Sequence, residues 1–265
     1  MIFRKSDRSP DKAAVKTLEL KYGFRPIEAI ASLKYLANTA FEELFAIRKL
    51  CTVMSLPGEK HFHALLHLLH HIRCHPPKAL CYYHKVHDSP LWSLIQRAEL
   101  EIHDPTLLAM CDSSWGDCED HKSTGSYLMF YQGGLIDHSS FVPNIVAMSS
   151  AEAEICAMCV TAMATCHFRQ VYCDLLFDDP SQPYTVPILS DSKPGIFSCG
   201  NDRDTKQTHH IDRRMYAIRL LVQNSLVTLV FIPGYDFNVA DLGTKNLSSP
   251  NNSYKLSIIE VQPYG

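Results

Sequence analysis

Five acidic residues stand where predicted strands end or predicted helices begin. Asp112 follows the apolar run "LLAMC", Asp191 ends "ILSD", and Asp241 lies within "VADLGTK". Glu152 and Glu154 lie near the start of a long helical segment, in "SSAEAEICAM". Carboxylates that lie close together repel one another, and divalent cations with oxygen ligands relieve that repulsion. Two such cations, about 3.5 to 4 Å apart, would clamp the attacking and leaving oxygens of a phosphodiester.

Each acid also has an ordinary structural explanation when it is considered alone. Asp112 and Asp191 suit turns after strands, and a glutamate in the first turn of a helix interacts favourably with the helix dipole. Spacing along the chain does not decide between these interpretations. It also does not choose between Glu152 and Glu154, which lie about 200° apart around a helix axis and so cannot both face one cleft.

A mixed sheet would bring the acids together. From Thr106 the apolar pattern predicts strands, with the "QGG" of residues 132–134 forming a hairpin turn between the second and the third. The predicted order is β-β-β-α-β-α-β-α, in which the ends of non-neighbouring strands meet beside helix starts. The predicted strands are "TLLAMCD", "SYLMFYQ", "LIDHSSFV", "TVPILSD" and "LVTLVFIP", and the helices are "SSAEAEICAMCVTAMATCHFRQVYCDLLF", "THHIDRRMYAIRLLVQN" and "FNVADLGTKNL".

The chain before Thr106 is predicted to be mainly helical. Residues 1–24 are charged and poorly patterned, so we expect an extended lead-in. Helical spacing then marks "RPIEAIASLKYLAN", "AFEELFAIRKLCTVMSL" and "EKHFHALLHLLHHIRCH", followed by a short strand, "KALCYYHKV", and a connector, "HDSPLWSLIQRAELEIHDP". We expect residues 248–265 to be a loop and a short strand. The predicted domains are therefore 1–104, 105–247 and a C-terminal tail, 248–265.

Charge is distributed unevenly along the 265 residues. Up to Asp104 the chain has 15 Lys and Arg against 11 Asp and Glu, and the remainder has 10 against 17. A basic front joined to an acidic back suggests a polyanion-binding surface beside a carboxylate site. No apolar run approaches the roughly 20 residues that cross a bilayer, and the first residues lack the apolar centre of a secretory signal. We therefore expect a cytoplasmic or nuclear protein without a membrane partner.

Histidines form a row on one predicted helix. His63, His67, His71 and His75 are spaced four residues apart and so lie on one helical face. Histidines at this spacing are able to bind Zn²⁺, and protonated histidines on a solvated face are able to contact phosphate. An inert exposed face is the third interpretation, and the sequence leaves all three open.

Five ordered motifs resemble the ribonuclease H domain of copia-type retrotransposon polyproteins. They are "CDSSWGDCEDHKSTGSYLMF", "AMSSAEAEICAM", "ILSDSKPGI", "THHIDRRMYAIR" and "VADLGTKNL". The upstream helices and "HDSPL" resemble the tail of the reverse transcriptase, with its thumb and connection helices, in the same polyproteins. The resemblance covers about residues 25–247. It implies an α/β fold of the ribonuclease H type, a mixed five-stranded sheet flanked by helices, preceded by the mainly helical segment.

The same resemblance implies a two-metal nuclease that cleaves the RNA strand of RNA/DNA hybrids, using two Mg²⁺ or Mn²⁺ ions. By motif, the catalytic metal ligands are Asp112, Glu154, Asp191 and Asp241, so the family pattern selects Glu154 over Glu152. Further expected partners are reverse transcriptase or polyprotein fragments in trans. The residues expected to contact substrate are Ser113, Lys122, Ser192, His210, Arg214 and Lys245.

Several motif positions differ from the family pattern. His138 stands in "HSSFVPN" where the family has Trp, and "KSTGS", "SDSKPG" and "DLGTK" replace the family's "KSTSG", "CDNQSA" and "DIFTK" segments. The paired aspartates of a polymerase motif are absent, so we expect no polymerase activity from this chain alone. The alternative to an active ribonuclease H is a catalytically weak or inactive retroelement-derived protein that binds nucleic acid or serves assembly.

Overall fold

The computed structural model of the chain describes residues 3–38, 41–76, 79–176, 184–200, 212–247 and 249–259. These residues divide into two compact units, one ending at Ala79 and one beginning at Leu80. The predicted domain boundaries after residues 104 and 247 remain predictions. Within the described ranges, no helix combines the length and the apolar character that spanning a bilayer requires.

The first unit is a small helical assembly around an apolar core. Its helices are α1 (Lys12–Tyr22), α2 (Pro26–Leu36), α3 (Leu44–Cys51) and α4 (Glu59–Cys74). The last three match the helical spacing of the sequence, and their apolar faces pack together. The buried residues of this core include Ile30, Leu33, Ile47, Leu50 and Leu65.

The prediction of an extended lead-in is wrong for residues 12–22, which form α1. Asp11 caps the helix start, because its Oδ1 accepts a hydrogen bond of 2.8 Å from the amide of Ala14. Gly23 ends the helix in a left-handed conformation, with φ of 74°. Aspartate and glycine are the usual residues at the two ends of a helix. The capping residues therefore indicated α1, whereas hydrophobic periodicity did not.

The second unit contains the predicted mixed five-stranded sheet. Its strands are β1 (Leu107–Ser114), β2 (Thr124–Tyr131), β3 (Gly134–Phe141), β4 (Val186–Ser190) and β5 (Val227–Phe231). They are arranged in the order β3-β2-β1-β4-β5, with β1, β2 and β3 antiparallel and β4 parallel to both β1 and β5. With its flanking helices, the sheet is the mixed five-stranded α/β arrangement that the sequence predicted.

The predicted hairpin turn joins β2 to β3. Gln132 and Gly133 have φ of 50° and 81°, so both central residues of this two-residue turn are left-handed. A side chain at Gly133 would also collide with Ser89, since a Cβ there would lie 2.1 Å from the Ser89 Oγ. The turn therefore requires glycine for its conformation and for its packing.

Helices connect the strands of the sheet and pack against it. The long helix α6 (Ser150–Leu176) connects β3 to β4, and α7 (Lys193–Gly200) and α8 (Asp212–Gln223) lie between β4 and β5. The predicted order did not include α7 as a helix, although Pro194 lies in its first turn, where proline is tolerated. Residues from α6 and the strands form one buried core that includes Ala109, Cys111, Ile155, Met158 and Ile188.

Three local predictions in this unit are wrong. The predicted connector contains α5 (Pro90–Arg97), which Ser89 caps by accepting a hydrogen bond of 3.2 Å from the amide of Trp92. The segment "KALCYYHKV" forms only an isolated bridge at Leu80 in its described part. Its backbone packs against the start of β3, where a Cβ at Gly134 would lie 2.9 Å from the Cys81 carbonyl oxygen. The predicted C-terminal loop and strand contain the helix α10 (Ser249–Ser257), preceded by the short helix α9 (Gly234–Phe237).

Candidate metal centre

Three carboxylates from separate elements meet at one edge of the sheet. Asp112 lies near the end of β1, Asp191 directly follows β4, and Glu154 lies in the second turn of α6. Since β1 and β4 are parallel neighbours, their carboxyl ends lie side by side. One carboxylate oxygen from each residue lies within 4.8 Å of the others, and this is the only such group of three or more potential ligands among the described residues.

Backbone and side-chain contacts hold this trio in place. The amide of Ser113 donates to Glu154 Oε1 at 3.2 Å, and the Thr244 hydroxyl donates to Asp112 Oδ2. Gly234 packs against Asp191, because a Cβ there would lie 2.1 Å from Asp191 Oδ2. Any larger residue at position 234, at the start of α9, would therefore collide with the Asp191 carboxylate.

Glu152 and Glu154 have different environments. The Ser149 hydroxyl accepts from the Glu152 amide at 3.2 Å, and Glu152 Oε2 accepts from the Met148 amide at 2.6 Å. Glu152 thus satisfies backbone groups at the start of α6, as in a capping box. Glu154, about 200° further around the helix axis, faces Asp112 and Asp191 instead.

The fourth predicted acid, Asp241, is paired with two lysines. It lies in a 3₁₀ turn, Val239–Gly243, and is 4% exposed. Lys245 donates to Asp241 Oδ1 and Lys255 donates to Asp241 Oδ2, while Lys245 also lies 3.2 Å from Asp112 Oδ1. Lys245 therefore links Asp241 to Asp112, which is a member of the trio.

Burial and mutual repulsion make the trio hard to ionise completely. The pKa of Glu154 is raised to about 9, chiefly by burial and then by the charges of Asp112 and Asp191. The pKa of Asp112 is raised to about 7, again first by burial and then by Asp241. Burial also raises the pKa of Asp191. Perturbed carboxylates of this kind concentrate at functional sites, where burial and like charges shift their pKa values. A bound cation would favour their charged forms.

The side chains predicted to contact substrate are dispersed. Ser113 is buried beside Glu154, whereas the Ser192 hydroxyl accepts from the Gly195 amide at the start of α7. Lys122 pairs with Asp120 at 2.9 Å in the loop between β1 and β2. Of the remaining predicted residues, Lys245 lies in the acidic site, Arg214 lies in the first turn of α8, and His210 lies outside the described residues.

Arg214 lies close enough to α6 to influence two of its thiols. Its charge lowers the pKa of Cys156 and of Cys159 against the larger raising effect of burial. This places the guanidinium beside one face of α6. Its predicted contact with substrate remains a prediction.

Sequence reasoning missed Lys255 and Thr244, which contact the acids directly. Lys255 belongs to a segment predicted as loop and strand, so no contact with the site was expected. Thr244 is visible in the "DLGTK" motif, three residues after Asp241, where a helical turn would return it towards the acids.

The histidine row of α4 forms pairs of contacts. His63 Nε2 lies 3.0 Å from the Tyr22 hydroxyl, and His71 Nε2 lies 3.3 Å from Glu43 Oε1. The rings of His71 and His75 stack with centroids 4.6 Å apart. Among the described residues, no three ligand-type side chains of this region come within reach of one ion.

The chain is similar in sequence to polyproteins of two plant transposons. The chain is 28% identical over 239 residues to the retrovirus-related Pol polyprotein from transposon RE2 of Arabidopsis thaliana, a match that covers 88% of this chain. It is 26% identical over 230 residues to the corresponding polyprotein from transposon TNT 1-94 of Nicotiana tabacum, covering 86% of this chain. The chain is therefore similar in sequence to retrovirus-related Pol polyproteins of plant transposons. The chain spans 15% of the length of each of these two relatives.

Two further comparisons complete this result. No family model matches the chain. Among solved structures, RNase H1 from the halophilic archaeon Halobacterium salinarum matches with a TM-score of 0.39 and 16% identity, covering 52% of this chain and 93% of that one.

Proposed function

We propose that this chain is a metal-dependent ribonuclease H that cleaves the RNA strand of RNA/DNA hybrids. The observation that carries the proposal is the convergence of Asp112, Glu154 and Asp191, whose ligand atoms lie within 4.8 Å of one another. These three residues are the proposed cation ligands, and Asp241 is the fourth acid beside them. Three carboxylates from two strand ends and one helix form a constellation that isolated turn residues would not produce.

The trio fits a hard divalent cation such as Mg²⁺ or Mn²⁺. All its ligand atoms are carboxylate oxygens, which such ions prefer. Glu154 Oε2 is buried without a hydrogen-bond partner, as is the neighbouring Ser113 Oγ. An unpartnered buried carboxylate oxygen is costly, so this atom supports the presence of a positive ligand in the working protein.

The side chains of this site have separable tasks in the proposed reaction. A bound divalent cation would polarise a phosphodiester and favour ionisation of an attacking water. Ser113 and Thr244 orient Glu154 and Asp112 through the hydrogen bonds described above. Lys245, with 40% of its side chain exposed, places an ammonium beside the acids where a phosphate of the substrate would approach.

Further contacts with a nucleic acid are proposed from charge and from position in the motifs. Lys122 and Arg214 would contact phosphates of the hybrid, and the helical first unit, with its net positive charge, would bind further phosphates. Ser113, Ser192 and His210 are proposed as further substrate contacts by their positions in the motifs. Since the relatives are much longer polyproteins, a reverse transcriptase or another polyprotein fragment acting in trans is part of the proposal.

The decisive experiment is a gel assay of a labelled RNA/DNA hybrid with Mg²⁺ or Mn²⁺, compared with EDTA. Cleavage of the RNA strand should require the cation and should leave DNA duplexes of the same sequence intact. Asp120→Asn, at an exposed acid of the same unit, is the matched control for substitutions in the trio. Equal cleavage in EDTA would refute metal dependence, and hybrid binding without cleavage in either cation would favour the alternative non-catalytic protein.

A further inference from the structure

Asp241 uses both of its carboxylate oxygens to bind ammonium groups. Oδ1 accepts from Lys245 and Oδ2 accepts from Lys255. Lys245 reaches the predicted cation ligands as well, because its Nζ lies 3.2 Å from Asp112 Oδ1. Two positive charges therefore lie next to Asp241.

Lys255 is built into the fold. Its side chain is 1% exposed, and besides Asp241 its Nζ contacts the carbonyl oxygens of Asn238 at 2.8 Å and Gly234 at 3.4 Å. Three acceptors thus match the three donors of the ammonium. A buried lysine is costly unless it is paired and hydrogen-bonded in this way, so α10 delivers a specific charge to this place.

Lys245 differs from Lys255 in its exposure. Its side chain is 40% exposed, and it bridges Asp112 and Asp241 from the solvent side. The charge on Lys245 can be removed without creating an apolar cavity in the interior. It is therefore the residue that tests what the two ammonium groups do.

We propose that Lys245 and Lys255 take the place of a second cation next to Asp241, so that the free protein binds one divalent cation, at Asp112, Glu154 and Asp191. This inference rests on the proposed metal-dependent function. A second cation held by Asp241 would have to displace an ammonium group that already pairs with it. Asp241 then orders the two lysines, and Lys245 supplies the second positive charge facing the substrate.

The stoichiometry of Mn²⁺ binding tests this inference directly. We would titrate the full chain with Mn²⁺, without nucleic acid, and measure bound ion by calorimetry and by the loss of the free-ion electron paramagnetic resonance signal. Wild type should bind one ion and show no spin-coupled pair of the kind that two ions about 4 Å apart produce. Lys245→Met should bind two ions, while Lys122→Met, the control at a surface lysine, should remain at one.

The outcomes separate this inference from the proposed function. Two spin-coupled ions in the wild type would overturn the inference and leave metal-dependent cleavage intact, as the predicted two-ion site requires. One ion in both the wild type and a folded Lys245→Met variant would show that the ammonium does not occupy a cation position. No binding by the wild type at millimolar Mn²⁺ would overturn both the inference and the proposed function.

Discussion

The acidic trio of the second unit and the histidine row of the first both concentrate metal-ligand side chains, but they differ in how those side chains are brought together. The trio combines residues 112, 154 and 191, which two strand ends and a helix start bring to one point. The histidines repeat every fourth residue on a single helix and make pairs with Tyr22, with Glu43 and with one another. Convergence of separate elements, more than the density of ligand-type residues, distinguishes a candidate ion site.

The two regions also differ in how their buried charges are compensated. Glu43, beside the histidine row, has its pKa raised to about 7, first by burial and then by the charge of Glu42, with His75 acting in the opposite direction. The trio has its pKa values raised by burial and by mutual repulsion, with Lys245 opposing the rise. Glu43 can relieve the cost of its buried charge by taking up a proton. The three carboxylates of the trio can also relieve theirs by binding a cation.

The largest expected effect follows from removing the buried lysine of the acidic region. Lys255→Met would leave Asp241 buried with one ammonium fewer, so the free energy of unfolding should fall by about 3 to 5 kcal/mol. Urea unfolding followed by circular dichroism measures this change. Lys122→Met removes an exposed pair with Asp120 and should cost at most about 1 kcal/mol. Equal losses in the two variants would show that Lys255 does not have the buried role described here.

The next largest effect concerns cleavage. Asp191→Asn removes one charged ligand of the trio and should lower the rate of hybrid cleavage by about 10²- to 10³-fold, as expected for the loss of a charge-stabilising group. The same change relieves repulsion, so without metal its melting temperature should equal or exceed that of the wild type. His67→Ala, at an exposed position of the histidine row, should leave the cleavage rate unchanged. A large loss of cleavage in His67→Ala would remove the distinction between the two regions.

A smaller effect concerns pH in the first unit. Since the pKa of Glu43 is about 7 when folded and its ordinary value is 4.5, the folded state holds this proton more tightly. The contribution of Glu43 to stability is fully present below about pH 4.5 and is lost as the pH rises through 7. Glu43→Gln should reduce this decline, measured by hydrogen exchange of α3 and α4 amides at several pH values. Glu28→Gln, on the exposed face of α2, is the control and should leave the decline unchanged.

The sequence predicted the parts of the site that local pattern determines. Apolar runs of strand length ending at Asp112 and Asp191 predicted β1 and β4, and the family pattern selected Glu154 over Glu152. The structure places Glu154 beside the two aspartates and Glu152 at the helix cap. The two aspartates were accessible because strand ends are local features, whereas Glu154 was distinguished from Glu152 only by the family pattern.

Other features depend on contacts that local pattern does not specify. Lys255 approaches Asp241 from α10, a helix within the segment that was predicted as a loop and a short strand. A lysine is ordinarily solvated, so its burial becomes evident only when its three acceptors are known. The helices α1 and α5 were missed for a different reason, since their caps at Asp11 and Ser89 were present but their apolar faces were short.

Asp112, Glu154 and Asp191 are proposed to form a divalent cation site, and a matched pair of glutamate variants tests this site. The melting temperature of the wild type, Glu154→Gln and Glu152→Gln would be measured with and without Mg²⁺ or Mn²⁺. Binding to the folded state stabilises by about 2.7 kcal/mol at an ion concentration 100 times Kd. We expect the metal ion to raise the melting temperature of the wild type and of Glu152→Gln, and to raise that of Glu154→Gln little. Without metal, Glu152→Gln should lose only about 1 kcal/mol of stability, from its cap at the start of α6. An equal metal-dependent rise in melting temperature in Glu154→Gln, or loss of that rise in Glu152→Gln alone, would show that Glu154 is not a ligand of the cation.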